Sequence, residues 1–286
     1  MKRLSDCRIT IVGLGLMGGS LAGALRGQCR ELTGVERQPA VLAVALSRQL
    51  IDRGTTDLGA GLARADVVVL ATPVRTILKL LGEIGPLLPA GCLLLDLGST
   101  KAQVVARMEA LPDHVQPLGG HPMCGKEVSG IEAADPDLYQ GQTWMLCPLL
   151  RTTPAALALG CALVTAVGAR PLVLDAARQD DLSGTVSHLP YLLACALIDT
   201  AHAVAAADPA VGEVAAGGFC DTSRVAASDV TMWLDILLTN REVVVQAVRT
   251  YQAHLDQLVG LVAGGDEVAL RAALGAVREK RLEMFP

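Results

Sequence analysis

Three glycines, Gly13, Gly15 and Gly18, stand at G-x-G-x-x-G spacing between the β-rich apolar run RITIVG and the small-residue pattern LMGGSLAGAL. That spacing has a mechanical use in holding a pyrophosphate. The first glycine permits a tight turn and the second lets backbone approach the phosphates. The third lets a helix pack closely on the strand, so that the first amides of the helix, at Leu16 and Met17, face the phosphates. A second strand-like run, ELTGVE, ends at Glu36, about 20 residues further on, where a carboxylate accepts the hydroxyls of an adenosine ribose. This favours NAD. Arg37 next to it is the residue type that accepts a 2′-phosphate, so NADP stays open.

A second chemical candidate lies in GGHPMCGKEVSG, residues 119–130. The stretch is too rich in glycine for a helix, and its proline and charges make a poor strand. His121 therefore lacks the helix or strand setting that normally explains a packed histidine, and histidine titrates near neutral pH. Ser99, in DLGST, and Thr72 with Pro73, in ATPV, also lie just past apolar runs.

These residues need elements to position them. ADVVVLATPV, GCLLLDLGST, VQPLGGHP, TWMLCP and RPLVLD read as further strands, and helical patterns such as RTILKLLGEIGPLL and KAQVVARMEAL lie among them. Strands alternating with helices imply an α/β fold with a Rossmann-type, doubly wound parallel sheet, here over residues 1–175. Ligands in such sheets sit at the carboxyl ends of the strands, where Thr72, Pro73, Ser99 and His121 all fall. Ser99 and His121 come from separate strand ends and can converge on one bound molecule. From residue 176 the strand signal stops, and an all-helical domain is expected over 176–286, with a kink at Pro190. Helices this apolar in so small a domain would leave hydrophobic surface exposed in a monomer, so a homodimer through the helical domain is expected.

Composition narrows the class. The 286 residues are 51% hydrophobic and only 2% aromatic, so alanine, leucine and valine must build the core. Net charge is −5 with no basic run of the kind that tracks a phosphate backbone, which argues against a nucleic-acid partner. Eight scattered cysteines without C-x-x-C suggest buried reduced thiols, and neither a disulfide framework nor a metal site. No signal peptide is legible, and the longest apolar runs look too short for a bilayer. The expected compartment is the cytoplasm, with no membrane partner.

Three segments in order after the glycine-rich loop, GGHPMCGKEVSG, SHLPYLLACALIDT and GGFCDTSRVAASDVTMW, together with DLGSTK, resemble the prephenate/arogenate dehydrogenases of tyrosine biosynthesis. The resemblance runs over nearly the whole chain and fits the bare dehydrogenase form. It implies an oxidative decarboxylation, in which a ring hydroxyl is oxidised by hydride transfer to a nicotinamide, the ring carboxylate leaves as carbon dioxide and the ring becomes aromatic. It also implies roles: His121 as the base on the hydroxyl, Ser99 as its hydrogen-bonding partner, Arg224 on a substrate carboxylate, and His188 lining the pocket. Some members carry a histidine near the substrate's side chain where this chain has Tyr191, so prephenate (keto) and arogenate (ammonium) both stay open. Glu127 would pair with Arg224 in an empty site or meet that ammonium. From the reference pKa of histidine, activity is expected to fall steeply below about pH 6.

Plainer readings stand beside these. Thr100 with Gln103 fits a capping box for the helix that begins there, His188 can be a satisfied core histidine, and Arg224 can neutralise Asp221 or Asp229. Two other functions compete, a β-hydroxyacid dehydrogenase and a non-catalytic NAD(P)-binding regulatory module. The first typically relies on a lysine at the start of the helical domain, and residues 176–190 contain none.

Overall fold

The computed structural model describes residues 2–285. Two compact units divide at Asn240/Arg241. The first holds the sheet, whose strands are β1 (Arg8–Val12), β2 (Glu31–Val35), β3 (Arg53–Thr55), β4 (Val67–Leu70), β5 (Leu93–Asp96), β6 (Gln116–Pro122), β7 (Thr143–Pro148) and β8 (Arg170–Val173). Their order is β3-β2-β1-β4-β5-β6-β7-β8. The central strands β1, β4 and β5 are short and apolar because both faces are covered, so neighbours such as Val67/Val69 and Val68/Leu70 feed opposite cores. The edge strands β3 and β8 are largely exposed. On one face α1 (Leu16–Ala24), α2 (Pro39–Ser47) and α6 (Pro154–Ala166) pack; on the other lie α3 (Leu58–Leu62), α4 (Val74–Leu81) and α5 (Ala102–Glu109). The order reverses between β1 and β4, which opens the crevice beyond their carboxyl ends.

The sheet departs from the expected all-parallel arrangement at one place. β6 and β7 pair antiparallel, with His121 opposite Met145. No helix crosses over between them; residues 123–142 hold only loop and a short 3-10 turn at Ile131–Ala133, so the chain re-enters from the end it left. β3, α2 and α3 were not foreseen individually, being short and weakly patterned. His121 sits inside β6, not beyond it. The glycines before it permit close packing: a Cβ on Gly120 would lie 2.6 Å from the Asp96 carbonyl oxygen on β5.

The same unit continues through α7 (Ala176–Ser183), α8 (Leu189–Ala205), α9 (Val211–Val214), α10 (Gly217–Ser223) and α11 (Val230–Thr239). The break expected at Pro190 takes the form of one π turn, Gly184–His188, immediately before α8, in which the Leu189 amide reaches back to the Gly184 carbonyl. The stretch Ala176–Ala205 is long and apolar enough to cross a membrane by length and composition, a length that its interrupted apolar runs concealed. Within it Gln179, Asp180, Ser183 and His188 are buried, and Asp180 and Gln179 bond to the loop after β5, so its first half packs on the sheet unit while most of the stretch is not buried. The second unit comprises α12 (Arg241–Gly264) and α13 (Glu267–Met284), the latter capped by the Asp266 carboxylate on the Ala269 amide.

Candidate active site

The glycine turn after β1 meets the steric demands of its spacing. Gly13 has φ +93°, and a Cβ there would lie 2.8 Å from the Thr72 methyl and 3.0 Å from the Ala71 carbonyl oxygen. A Cβ on Gly18 would overlap the Gly13 carbonyl oxygen, so α1 packs as close to the turn as backbone allows. Gly15 is the N-cap of α1, and a Cβ on it would meet nothing within 4 Å. The open space lies where phosphates would approach the amides of Leu16 and Met17, which have no intrahelical partner. Glu36 closes the other side: its carboxylate accepts the Leu14 amide at 3.1 Å and the Arg37 amide at 2.8 Å, while the Arg37 side chain is exposed. Thr72, past β4 and against Gly13, has a buried hydroxyl without a partner. An open glycine cradle, a helix N-terminus and an orphaned hydroxyl suit a dinucleotide.

Two and three strands over from β1, the ends of β5 and β6 carry Ser99 and His121. One buried ion pair shapes both. Asp96, the last residue of β5, and Lys101 are each fully buried and paired. The Asp96 carboxylate also accepts the Gly98 amide at 2.8 Å and the Gly120 amide at 3.0 Å. It thereby ties the Ser99 turn to the strand that presents His121. The α5 N-terminus is not closed by a capping box. The Asp180 carboxylate, from α7, takes the Lys101 amide at 2.6 Å and the Ala102 amide at 2.8 Å. Thr100 and Gln103 turn to Thr239 on α11, hydroxyl to hydroxyl at 2.8 Å and side-chain amide to carbonyl at 3.0 Å.

Gln179 of α7 is fully buried, and its side-chain nitrogen lies 2.7 Å from His121 Nδ1 and 3.0 Å from the Ser99 carbonyl oxygen. His121 is 7% exposed. Burial, reinforced by the Lys101 ammonium and by His188, pushes its imidazole down to about 3. The neutral imidazole therefore persists far below pH 6, which moves the expected acid limb of activity well below that value.

His188, fully buried at the end of the π turn, has its Nδ1 at 3.2 Å from the Asn240 side-chain nitrogen, and Nε2 has no partner. Burial pushes it down to about 4. Its ring meets Trp233 edge-on, and Tyr191 stacks on the same indole with centroids 3.8 Å apart. Arg224, which follows α10, pairs with Glu127 of the loop after β6, both partly exposed; neither Asp221 nor Asp229 is its partner among the described residues.

Sequence alone does not single out Gln179, the Asp96–Lys101 pair, Asp180 or Asn240, whereas Trp233 stands out as one of the few aromatic residues of the chain. An acid closing the apolar run LLLD, with a lysine five residues later, was the one legible hint.

The fold and site together define a dinucleotide-binding, Rossmann-type domain joined to helices that cover a buried histidine at its strand ends. Family models match the chain twice: the prephenate dehydrogenase nucleotide-binding domain over residues 21–173 and the prephenate dehydrogenase dimerization domain over 175–276. The chain belongs to the prephenate dehydrogenase family. Prephenate dehydrogenase of Lactococcus lactis is 34% identical, over 92% of this chain and 73% of that protein. The crystal structure of prephenate dehydrogenase from A. aeolicus, in complex with hydroxyphenyl propionate and NAD+, matches with a TM-score of 0.90 at 34% identity, covering 99% of this chain and 100% of that one. Synechocystis arogenate dehydrogenase matches at 0.84 and 30% identity, over 97% and 99%.

Proposed function

We propose that this protein is a prephenate dehydrogenase that converts prephenate to 4-hydroxyphenylpyruvate in tyrosine biosynthesis, with NAD as cofactor. Residues 1–175 serve the dinucleotide and 176–286 the substrate and the dimer. When bound, the nicotinamide accepts the hydride from the ring carbon. His121 takes the proton of the ring hydroxyl as the hydride leaves, and returns it to the phenolate oxygen formed when the carboxylate departs as carbon dioxide. Ser99 holds the hydroxyl in line with the imidazole. Arg224 grips a substrate carboxylate through its bidentate fork, and His188 Nε2 and Tyr191 line the far side. Gly13, Gly15, Leu16, Met17, Gly18, Thr72 and Pro73 hold the dinucleotide, and Glu36 accepts the ribose hydroxyls. The observation that carries this reading is a buried, neutral histidine tied to the Ser99 turn, on the same sheet as a glycine cradle.

Arogenate is the second substrate. Glu127 offers a carboxylate next to Arg224, which is what an ammonium in the side chain would meet. The protein is cytoplasmic and a homodimer through the helical domain. Val186, Ile198 and Val204 on the 176–205 stretch, and Val259, Val262, Leu274 and Val277 on α12 and α13, are exposed, and the matching family model is a dimerization domain. A monomeric mass at micromolar concentration would refute the dimer.

The deciding experiment is initial rate at the reduced-nicotinamide absorbance, with prephenate and arogenate, each with NAD and NADP, for wild type and His121→Asn. Turnover that collapses in the variant is expected. Absence of turnover with all four pairs would overturn the assignment.

A further inference from the structure

Gln179 faces His121 in a way that bears on how the histidine works as a base. Its side-chain nitrogen has two hydrogens but three acceptors in reach: His121 Nδ1 at 2.7 Å, the Ser183 hydroxyl at 2.9 Å and the Ser99 carbonyl at 3.0 Å. Its carbonyl oxygen is buried with no partner. The Ser99 carbonyl can only accept, so it holds the amide with nitrogen inward. In that orientation His121 Nδ1 must accept as well, which puts the imidazole proton on Nε2. A histidine with its proton on Nε2 donates from that nitrogen and has no lone pair there for a substrate hydroxyl.

Turned over, the amide would present its oxygen to Nδ1–H and to the Ser183 O–H, and would give up the Ser99 carbonyl. Nε2 would then carry the free lone pair. The first orientation leaves only the amide oxygen unsatisfied, whereas the second strands the Ser99 carbonyl and also the amide NH2, which takes the oxygen's partnerless place. The nitrogen-inward orientation is therefore the resting one, and turning over has a cost. The other ionisable groups near the imidazole are Lys101, whose ammonium is paired with Asp96, and His188. Asp180, beside Gln179 in sequence, spends both oxygens on the Lys101 and Ala102 amides. None of these competes for Nδ1.

Resting on the dehydrogenase reading, we propose that Gln179 is the positioning residue that sets the tautomer of His121. Its amide holds the free enzyme with the proton on Nε2, and turns over to make Nε2 the base.

The test combines nitrogen-15 NMR of histidine-labelled full-length protein with pH profiles of kcat/KM. The His121 resonance is identified by its loss in His121→Asn. In free wild type the signal should report Nε2–H. In Gln179→Glu, a side chain that only accepts at neutral pH, it should report Nδ1–H, and the acid limb should rise by about one pH unit or more. Gln179→Leu should lower kcat about tenfold or more with KM for NAD unchanged. An Nδ1–H signal in free wild type overturns the proposal, and that measurement needs no Gln179 variant. So does a Gln179→Glu enzyme with wild-type tautomer and wild-type acid limb. Either result leaves the dehydrogenase assignment standing, because that falls only if no substrate and cofactor pair turns over.

Discussion

Replacing Lys101 by methionine isolates what the buried pair contributes. The ammonium and the Asp96 carboxylate are both fully buried, so the change leaves a carboxylate with only the Gly98 and Gly120 amides for company. Burial already pushes the Asp96 carboxyl above its ordinary value, against the pull of Lys101 and the two amides; without Lys101 it takes up a proton, and a protonated oxygen serves one amide less well. Breaking a buried pair from one side costs about 3–5 kcal/mol. At about 2–4 °C per kcal/mol for a unit of this size, the melting temperature should fall by about 10 °C. The double variant Asp96→Asn/Lys101→Met removes both charges and should lose at least 2 kcal/mol less than the sum of the single variants, about the size expected for coupled neighbours. Thermal unfolding by circular dichroism, at one scan rate for all four proteins, reads this directly. Because Asp96 ties the Ser99 turn to the His121 strand, kcat at 20 °C should fall in the single variant even while the protein stays folded. A Lys101→Met protein melting within about 2 °C of wild type, or strictly additive losses, would refute the reasoning.

Three further outcomes follow from the site. His121 and His188 have folded pKa values of about 3 and 4 against an ordinary 6.5. The unfolded chain therefore binds more protons between these values, and stability present above about pH 6.5 is lost as pH falls toward 4 and then 3, by up to about 5 and 3 kcal/mol respectively. His121→Asn should flatten the fall of melting temperature between pH 6.5 and 4, and an unchanged slope would count against the buried neutral imidazole. Gly15→Ala should fold normally and weaken NAD binding about tenfold or more by calorimetry, whereas Gly18→Ala, whose Cβ overlaps a backbone carbonyl, should lose stability outright; equal stability of the two would contradict the geometry. Glu127→Gln, which removes the carboxylate paired with Arg224, should shift the arogenate/prephenate rate ratio toward prephenate, and a ratio equal to wild type would dismiss a role for Glu127 in substrate choice.

The sequence by itself determined the parts whose physics is local. Glycine sterics at 13, 15 and 18, the unbroken apolar runs of a sheet covered on both faces, and the change from strand to helix near residue 176 each follow from neighbouring residues, so the doubly wound sheet is legible in the chain itself. His121 and Ser99 could be placed at strand ends for the same reason. Only tertiary structure decided what surrounds them. The partner of the α5 amides is Asp180, 78 positions on from Ala102, where local pattern pointed to Thr100 and Gln103. The antiparallel β7 depends on which end of the sheet the 123–142 loop re-enters. The downward shift of His121 and its contact with Gln179, 58 residues away, come from burial and from long-range packing. Polar groups that are distant in the chain and mutually satisfied in a dry interior leave no period or spacing to read; the fold alone brings them together.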